Sequence, residues 1–262
     1  MRDYAEAARA FDPAQAASAA LHGHLEALNA CVECCDRHAG DGKLALIHED
    51  RDGNSARYSF DQLKAQAARF ANVLKAQGVG AGDRVAGLMP RTPELLVTIL
   101  ATWRLGAVYQ PLFTAFGPKA IEHRLEQSHA RVIVTDSHNR AKLDEVQACP
   151  SIITVRARSG ELDFQQCLDA ASPVCEPVMR SGNDPFLLMF TSGTTGPAKP
   201  LEVPLRAIVA FQGYMRDAID LRPEDNFLEP GRPGLGLRPV LRRHRPIVAG
   251  PCHHLLRWPV QR

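Results

Sequence analysis

The sequence predicts an α/β protein built on a mainly parallel sheet flanked by helices, and three observations point there. Runs such as "RVAGLM" (84–89), "RVIVTD" (131–136) and "SIITVR" (151–156) are apolar throughout rather than alternating, which suits strands buried on both faces. Amphipathic stretches of ten to twenty residues separate them, the βαβα order that folds as a parallel sheet between helical layers. Glycine and proline stand at the joints between these runs, where chain direction must change.

Taken in order, "MRDYAEAARAFDPAQAASAALHG" (1–23) is Ala-rich and carries acids, so it reads as a surface helix rather than a secretory signal. "LALIHE" (44–49) is a strand, and Gly53–Asn54 turns the chain into a second, "ARYSF". Ser59 with Gln62 three places on forms a capping box for a helix from Phe60. On that helix Phe60, Leu63, Ala67, Phe70 and Leu74 share one face, and Gly78 supplies the stop. "RVAGLM" follows as a strand. Thr92–Pro93 opens the next helix, which runs to Gly106. "AVYQPL" (107–112) is a strand, Gly117–Pro118 opens a helix over "KAIEHRLEQS", and "RVIVTD" is another strand. A helix is expected over "HNRAKLDEVQA" (138–148), then the strand "SIITVR", a polar linker at about 157–183, and the strand "PFLLMFTS" (185–192).

Bulk composition narrows the function. With 262 residues, 45% of them hydrophobic, the chain can bury a sizeable core. No run approaches the ~18 apolar residues of a membrane span. The seven cysteines, an odd number without an export signal, suit reduced thiols and a cytoplasmic location. "CVECC" (31–35) lacks a second Cys or His cluster at zinc spacing, so these read as ordinary thiols. Net charge is +2, but residues 231–262 hold seven arginines and no acid; removing those seven from 31 basic residues leaves 24 against 29 acids, a net −5 for the body.

The stretch with chemistry in it is "MFTSGTTGPAKP" (189–200). Thr191 to Gly196 are all Ser, Thr or Gly, and Lys199 follows. Glycines let successive backbone N–H groups approach an anion, and hydroxyls add donors. Lys199 supplies a mobile cation suited to phosphate oxygens. The run is neither G-x-x-x-x-G-K-[ST], since Pro200 follows Lys199, nor G-x-G-x-x-G, since only Gly193 and Gly196 are present. It reads as a polyphosphate cradle after a buried strand, where open α/β sheets hold ligands.

This motif resembles the phosphate-binding signature of the adenylate-forming enzymes: acyl-CoA synthetases, peptide-synthetase adenylation domains and luciferases. The resemblance continues upstream through "YSFDQL", "FANVLKAQGVGAGDRVAGLMPRTPELLVTILATWRLGAVYQPL" and "ARVIVTD", over roughly residues 28–227. "NACVECCDRHAG" and "RFANVLKAQGV" are most similar to acetyl- and medium-chain acyl-CoA synthetases. The resemblance implies a partial N-terminal domain of that fold. It also implies a two-step ligase reaction of fatty acid metabolism, in which a carboxylate attacks the α-phosphorus of ATP and coenzyme A then displaces AMP. By matching the motif, Thr191, Ser192, Gly193, Thr194, Thr195, Gly196 and Lys199 inherit the ATP phosphate-binding role. Pro200 departs from the glycine many members carry and is expected to stiffen the exit from the loop. The implied small molecules are a short- to medium-chain carboxylic acid, ATP, Mg2+ and coenzyme A, with no specific nucleic-acid partner.

Past Phe227 the resemblance stops. "LEPGRPGLGLRPVLRRHRPIVAGPCHHLLRWPVQR" has no helical or strand period and is rich in Arg, Pro, Gly and His. Residues 227–241 can be written in GC-rich codons that, with one C deleted after the first, read F-W-N-P-A-D-P-G-W-A-Y-G-L-Y, a family-like segment. A one-base insertion near codon 228 is therefore expected, with a poorly ordered tail and a shortened product. A basic tail for anionic partners is the other reading, although it lacks aromatic interleaving or an amphipathic face. The expected organisation is a helical extension at 1–27, the N-terminal part of an AMP-binding domain at 28–227 and a basic, out-of-frame tail at 228–262. By the resemblance, the adenine pocket, the magnesium and ribose acids and the catalytic lysine lie beyond residue 262, so no catalytic residue or metal ligand is assigned here. Activity of the chain alone is not expected. The alternatives are an adenylation domain loading a carrier protein, and a non-catalytic nucleotide-binding fragment with a basic interaction tail.

Overall fold

The structure, a computed structural model, describes residues 4–50, 52–191, 197–222, 225, 227–229 and 253–256. The Ala-rich start forms two short helices, α1 (Tyr4–Ala10) and α2 (Pro13–Ala20). They are separated because Asp12 caps α2, its carboxylate accepting from the N–H groups of Ala14 and Gln15. Helix α3 (Ala30–Cys34) covers part of "CVECC" and is capped by Asn29. Strands β1 (Leu44–Glu49) and β2 (Ser55–Ser59) form an antiparallel pair. The capping box of α4 (Phe60–Ala76) is present: the Gln62 N–H donates to Ser59 Oγ at 3.2 Å, and the Ser59 N–H donates to Gln62 Oε1 at 2.8 Å. A cap of this kind contributes on the order of 1 kcal/mol. Gly78, at φ +82°, ends the helix in the left-handed region as expected.

The remaining elements alternate: β3 (Arg84–Leu88), α5 (Pro93–Arg104), β4 (Val108–Pro111), α6 (Pro118–Ser128), β5 (Val132–Asp136), β6 (Ser151–Val155), β7 (Leu162–Asp163), α7 (Phe164–Ala170), β8 (Pro185–Thr191), β9 (Lys199–Pro204) and α8 (Ala207–Gly213). Seven strands form one sheet in the order β7-β6-β5-β3-β4-β8-β9. Every pairing in it is parallel except β8 with β9. Side chains of β3 and β5 divide between two cores. Val85, Val132 and Val134 join Phe70, Leu74, Val97 and Leu100 on the face covered by α4 and α5. Ala86, Leu88 and Ile133 join Ile121 and Leu125 under α6 on the other. Burial on both faces is why these strands read as unbroken apolar runs. At Gly87 an added Cβ would lie 2.3 Å from the Tyr109 hydroxyl, so the close approach of β3 to that buried ring requires glycine.

Two features differ from the expectation. The region 138–148 holds only a 3₁₀ turn, Arg140–Leu143, and no α-helix. Asp136 Oδ1 accepts from both the backbone N–H and the Nδ2 of Asn139, and Lys142 Nζ donates to Asn139 Oδ1 and the Thr114 carbonyl. These local side-chain bonds compete with helix formation in a short connection. The supposed linker at 157–183 contains β7 and α7, the latter capped by Asp163. Past α8 the chain forms a single π-helical turn at Tyr214–Ala218.

A second, antiparallel sheet has the order β10-β11-β1-β2, with β10 at Phe227–Glu229 and β11 at His253–Leu256. The rest of the basic tail lies outside the described residues. The N-terminal extension packs on the body, where Ala17 and Leu21 share a core with Phe186, Leu205 and Ile208.

Candidate functional site

Strand β8 lies between β4 and β9 and carries the chain to the edge where the parallel strands all end. Its apolar residues anchor it: Phe186 and Leu188 are buried, and Trp103 of α5 donates through Nε1 to the Phe186 carbonyl at 2.8 Å. Strand β9 returns antiparallel beside it, with Phe190 opposite Pro200 and Thr191 opposite Lys199. The two ends of the expected phosphate motif are thereby brought together, and Thr191 and Lys199 are both exposed. Ser192, Gly193, Thr194, Thr195 and Gly196 lie outside the described residues.

Helix α6 flanks this hairpin with residues that the motif does not include. The Nε2–H of His123 donates to the Ala198 carbonyl at 3.2 Å, and its ring meets Phe190 edge-on with centroids 6.5 Å apart. The Arg124 guanidinium sits 4.0 Å over the Phe116 ring and 5.5 Å from that of Phe190. Partial burial lowers its pKa from the usual arginine value. Gln110, fully buried on β4, donates through Nε2 to the Arg124 carbonyl at 3.2 Å, while its Oε1 has no hydrogen-bond partner among the described residues. Nothing in the spacing of "EHRL" announces these contacts, since they depend on where α6 crosses the sheet.

The cysteine group lies elsewhere, below α5. Cys31 Sγ is 3.7 Å from both Asp36 Oδ1 and Arg104 Nη1, and Cys35 Sγ is 3.7 Å from the Phe60 carbonyl. Burial, reinforced by Asp36, raises the Cys31 thiol well above its ordinary pKa and pushes Cys35 up to about 12. Alkylation requires the thiolate. Cys31 and Cys35 are therefore expected to resist iodoacetamide at pH 8 in the folded chain and to react once it is unfolded in guanidinium. Mass spectrometry of the labelled peptides checks this, and fast labelling of either in the folded chain would contradict it. Among the described residues, no group of three or more His, Cys, Asp or Glu is placed to hold a metal ion.

A mainly parallel sheet with apolar cores on both faces, with Thr191 and Lys199 paired where β8 ends, defines an α/β protein of the open-sheet class. In that class ligands are generally held at the carboxyl ends of the strands. The chain belongs to the AMP-binding enzyme family, whose pattern matches residues 33–231. It is 36% identical over 199 residues to the acetyl-coenzyme A synthetase of Sodalis glossinidius (strain morsitans), covering 66% of this chain and 30% of that enzyme. It is 32% identical over 244 residues to the acetyl-coenzyme A synthetase of Bacillus subtilis (strain 168), covering 89% of this chain and 42% of that enzyme. Among solved structures, the Brucella canis acyl-CoA synthetase superposes with a TM-score of 0.81 at 48% identity, over 86% of this chain and 42% of that one. The chain thus spans less than half the length of these relatives. The family's chemistry is ATP-dependent activation of a carboxylic acid, with coenzyme A as the accepting thiol.

Proposed function

We propose that this chain is the phosphate-holding portion of an acyl-CoA synthetase acting on short- to medium-chain carboxylic acids. The observation carrying this is the β8–β9 hairpin, which sets Lys199 opposite Thr191 at the carboxyl edge of the sheet. The names of the curated relatives favour the short end of that range.

In the first half-reaction a carboxylate oxygen bonds to the α-phosphorus of ATP and the bond from that phosphorus to the bridging oxygen breaks. Pyrophosphate departs with the bond's electrons. Charge therefore grows on the leaving group, and fixed donors aimed at it lower the barrier. The Lys199 ammonium and Thr191 hydroxyl, with Ser192, Gly193, Thr194, Thr195 and Gly196 between them, are the groups assigned to that task. Mg2+ would supply further charge neutralisation on the phosphates when bound. The chain offers no acidic cluster for it among the described residues, so its ligands are assigned to the remainder of the family fold. The same reading places the protein in the cytoplasm, assigns residues 28–227 to the AMP-binding domain and takes 228–262 as out of frame. No described helix is long and apolar enough to cross a membrane.

Exchange of labelled pyrophosphate into ATP, driven by acetate or by medium-chain fatty acids, tests the proposal. The chain alone is expected to be inactive and the frame-restored, full-length enzyme active. In the latter, Lys199→Ala should lower kcat/KM for ATP tenfold or more, about 1.4 kcal/mol of transition-state stabilisation. Unchanged kinetics would remove Lys199 from the site. The DNA sequence around codon 228 decides the tail separately.

A further inference from the structure

Lys199 is held from both sides, and only one of the restraints is visible in the sequence. On its C-terminal side Pro200 has a fixed φ and confines the residue before it to extended backbone. On its N-terminal side the Ala198 carbonyl accepts the 3.2 Å hydrogen bond from His123. A peptide group is planar, so fixing that carbonyl also fixes the direction in which the chain enters Lys199. The same imidazole meets the ring of Phe190, the last residue but one of β8. One side chain therefore touches the strand that leads into the motif and the residue that leads out of it.

The support beneath His123 is continuous. Its neighbour Arg124 is stacked over Phe116 and Phe190, and buried Gln110 of β4 holds the Arg124 carbonyl at 3.2 Å. The ring is thus referred to the centre of the sheet. Since a carbonyl only accepts, the bond needs a proton on Nε2, which both the imidazolium and one neutral tautomer provide.

We propose that His123 is a positioning residue for Lys199: its bond to Ala198 and its contact with Phe190 hold the lysine where a polyphosphate meets it. This rests on the phosphate-binding reading above and adds to it a residue outside the motif. His123 itself need touch no substrate.

Two variants test it, His123→Phe, which keeps a ring without the donor, and His123→Gln, which keeps an N–H donor. Hydrogen exchange of the chain without ligand is read over the segment 187–204, with 44–59 as the internal control. Sodium pyrophosphate is titrated by calorimetry, and the thermal midpoint is recorded for each variant. His123→Phe is expected to speed exchange in 187–204 but not in 44–59. It should weaken pyrophosphate binding by about three- to tenfold, the loss of one neutral hydrogen bond. The midpoint should stay close to wild type, and His123→Gln should restore both readouts to within about twofold. Unchanged exchange in His123→Phe overturns the anchor whatever the ligand does. Equal losses in both variants overturn the hydrogen bond as its cause. If the wild-type chain binds no pyrophosphate, the phosphate reading falls and takes the role of His123 in it along, while the exchange result still reports whether the anchor exists.

Discussion

Replacing Phe70 with alanine is expected to destabilise the chain by about 3–5 kcal/mol. Phe70 is fully buried near the middle of α4, on the stripe that also holds Leu63, Ala67 and Leu74. Its ring lies 4.3 Å, centroid to centroid, from that of Phe164, the first residue of α7. Leu168 of α7 is buried in the same core and Arg69 of α4 donates to the Ala171 carbonyl just past the helix, so the substitution opens a cavity at the α4–α7 contact while α7 keeps its other ties. The neighbours that would have to fill the gap stand on elements fixed by the sheet, which limits relaxation and keeps the cost high. Urea unfolding followed by far-UV circular dichroism measures it. The midpoint should fall while the slope is preserved, and Phe70→Leu should fall by a smaller amount because most of the volume remains. A Phe70→Ala midpoint equal to that of the wild type would mean that α4 does not form the core described here.

The sequence disclosed the elements whose cause is local. The strands "LALIHE" and "SIITV", the capping box at Ser59 and Gln62, the proline-opened helices at Pro93 and Pro118, and the glycine stop at Gly78 all stand where patterning placed them. In each case a few adjacent residues decide the backbone. The helix expected over 138–148 failed because the decision there belongs to Asp136 and Asn139, whose side chains capture the backbone before a helical turn can propagate. Helix α7 was hidden inside a stretch that looked polar, since only Phe164 and Leu168 of its seven residues are buried. At the candidate site the expected motif was legible as a run of residues, since an unbroken stretch of Ser, Thr and Gly from Thr191 to Gly196 stands out by itself. The structure sets its described ends, Thr191 and Lys199, opposite each other. His123, Arg124 and Gln110 were not legible, because their role arises from the crossing of α6 over β4 and β8. That crossing is tertiary and leaves no period in the chain.

The second large effect concerns Arg104 and Asp36. Arg104 closes α5, and its Nη1 lies 2.7 Å from Asp36 Oδ2, the two side chains being only 6% and 10% exposed. Its Nε donates to the Cys175 carbonyl, and its own carbonyl accepts from the Val178 N–H at 2.8 Å. One residue thus joins α5, the turn after α3 and the segment leading to β8. Removing Asp36 alone leaves a guanidinium buried without its counter-charge, and Asp36→Leu is expected to cost about 3–5 kcal/mol. Arg104→Met alone should cost a similar amount, because the carboxylate is then stranded. The pair Asp36→Leu with Arg104→Met should recover much of the loss, since replacing both charges by apolar groups of similar volume is close to neutral. Added salt should change little, because the pair is shielded from solvent ions. A double-mutant cycle from urea unfolding measures the coupling, and additive single losses would show that the two charges do not depend on each other. Arg104 ends α5 on the side of the sheet where β4 begins, whereas Thr191 and Lys199 stand at the opposite, carboxyl edge. Pyrophosphate binding per folded molecule should therefore be untouched by any of the three variants, which separates loss of the fold from loss of the site.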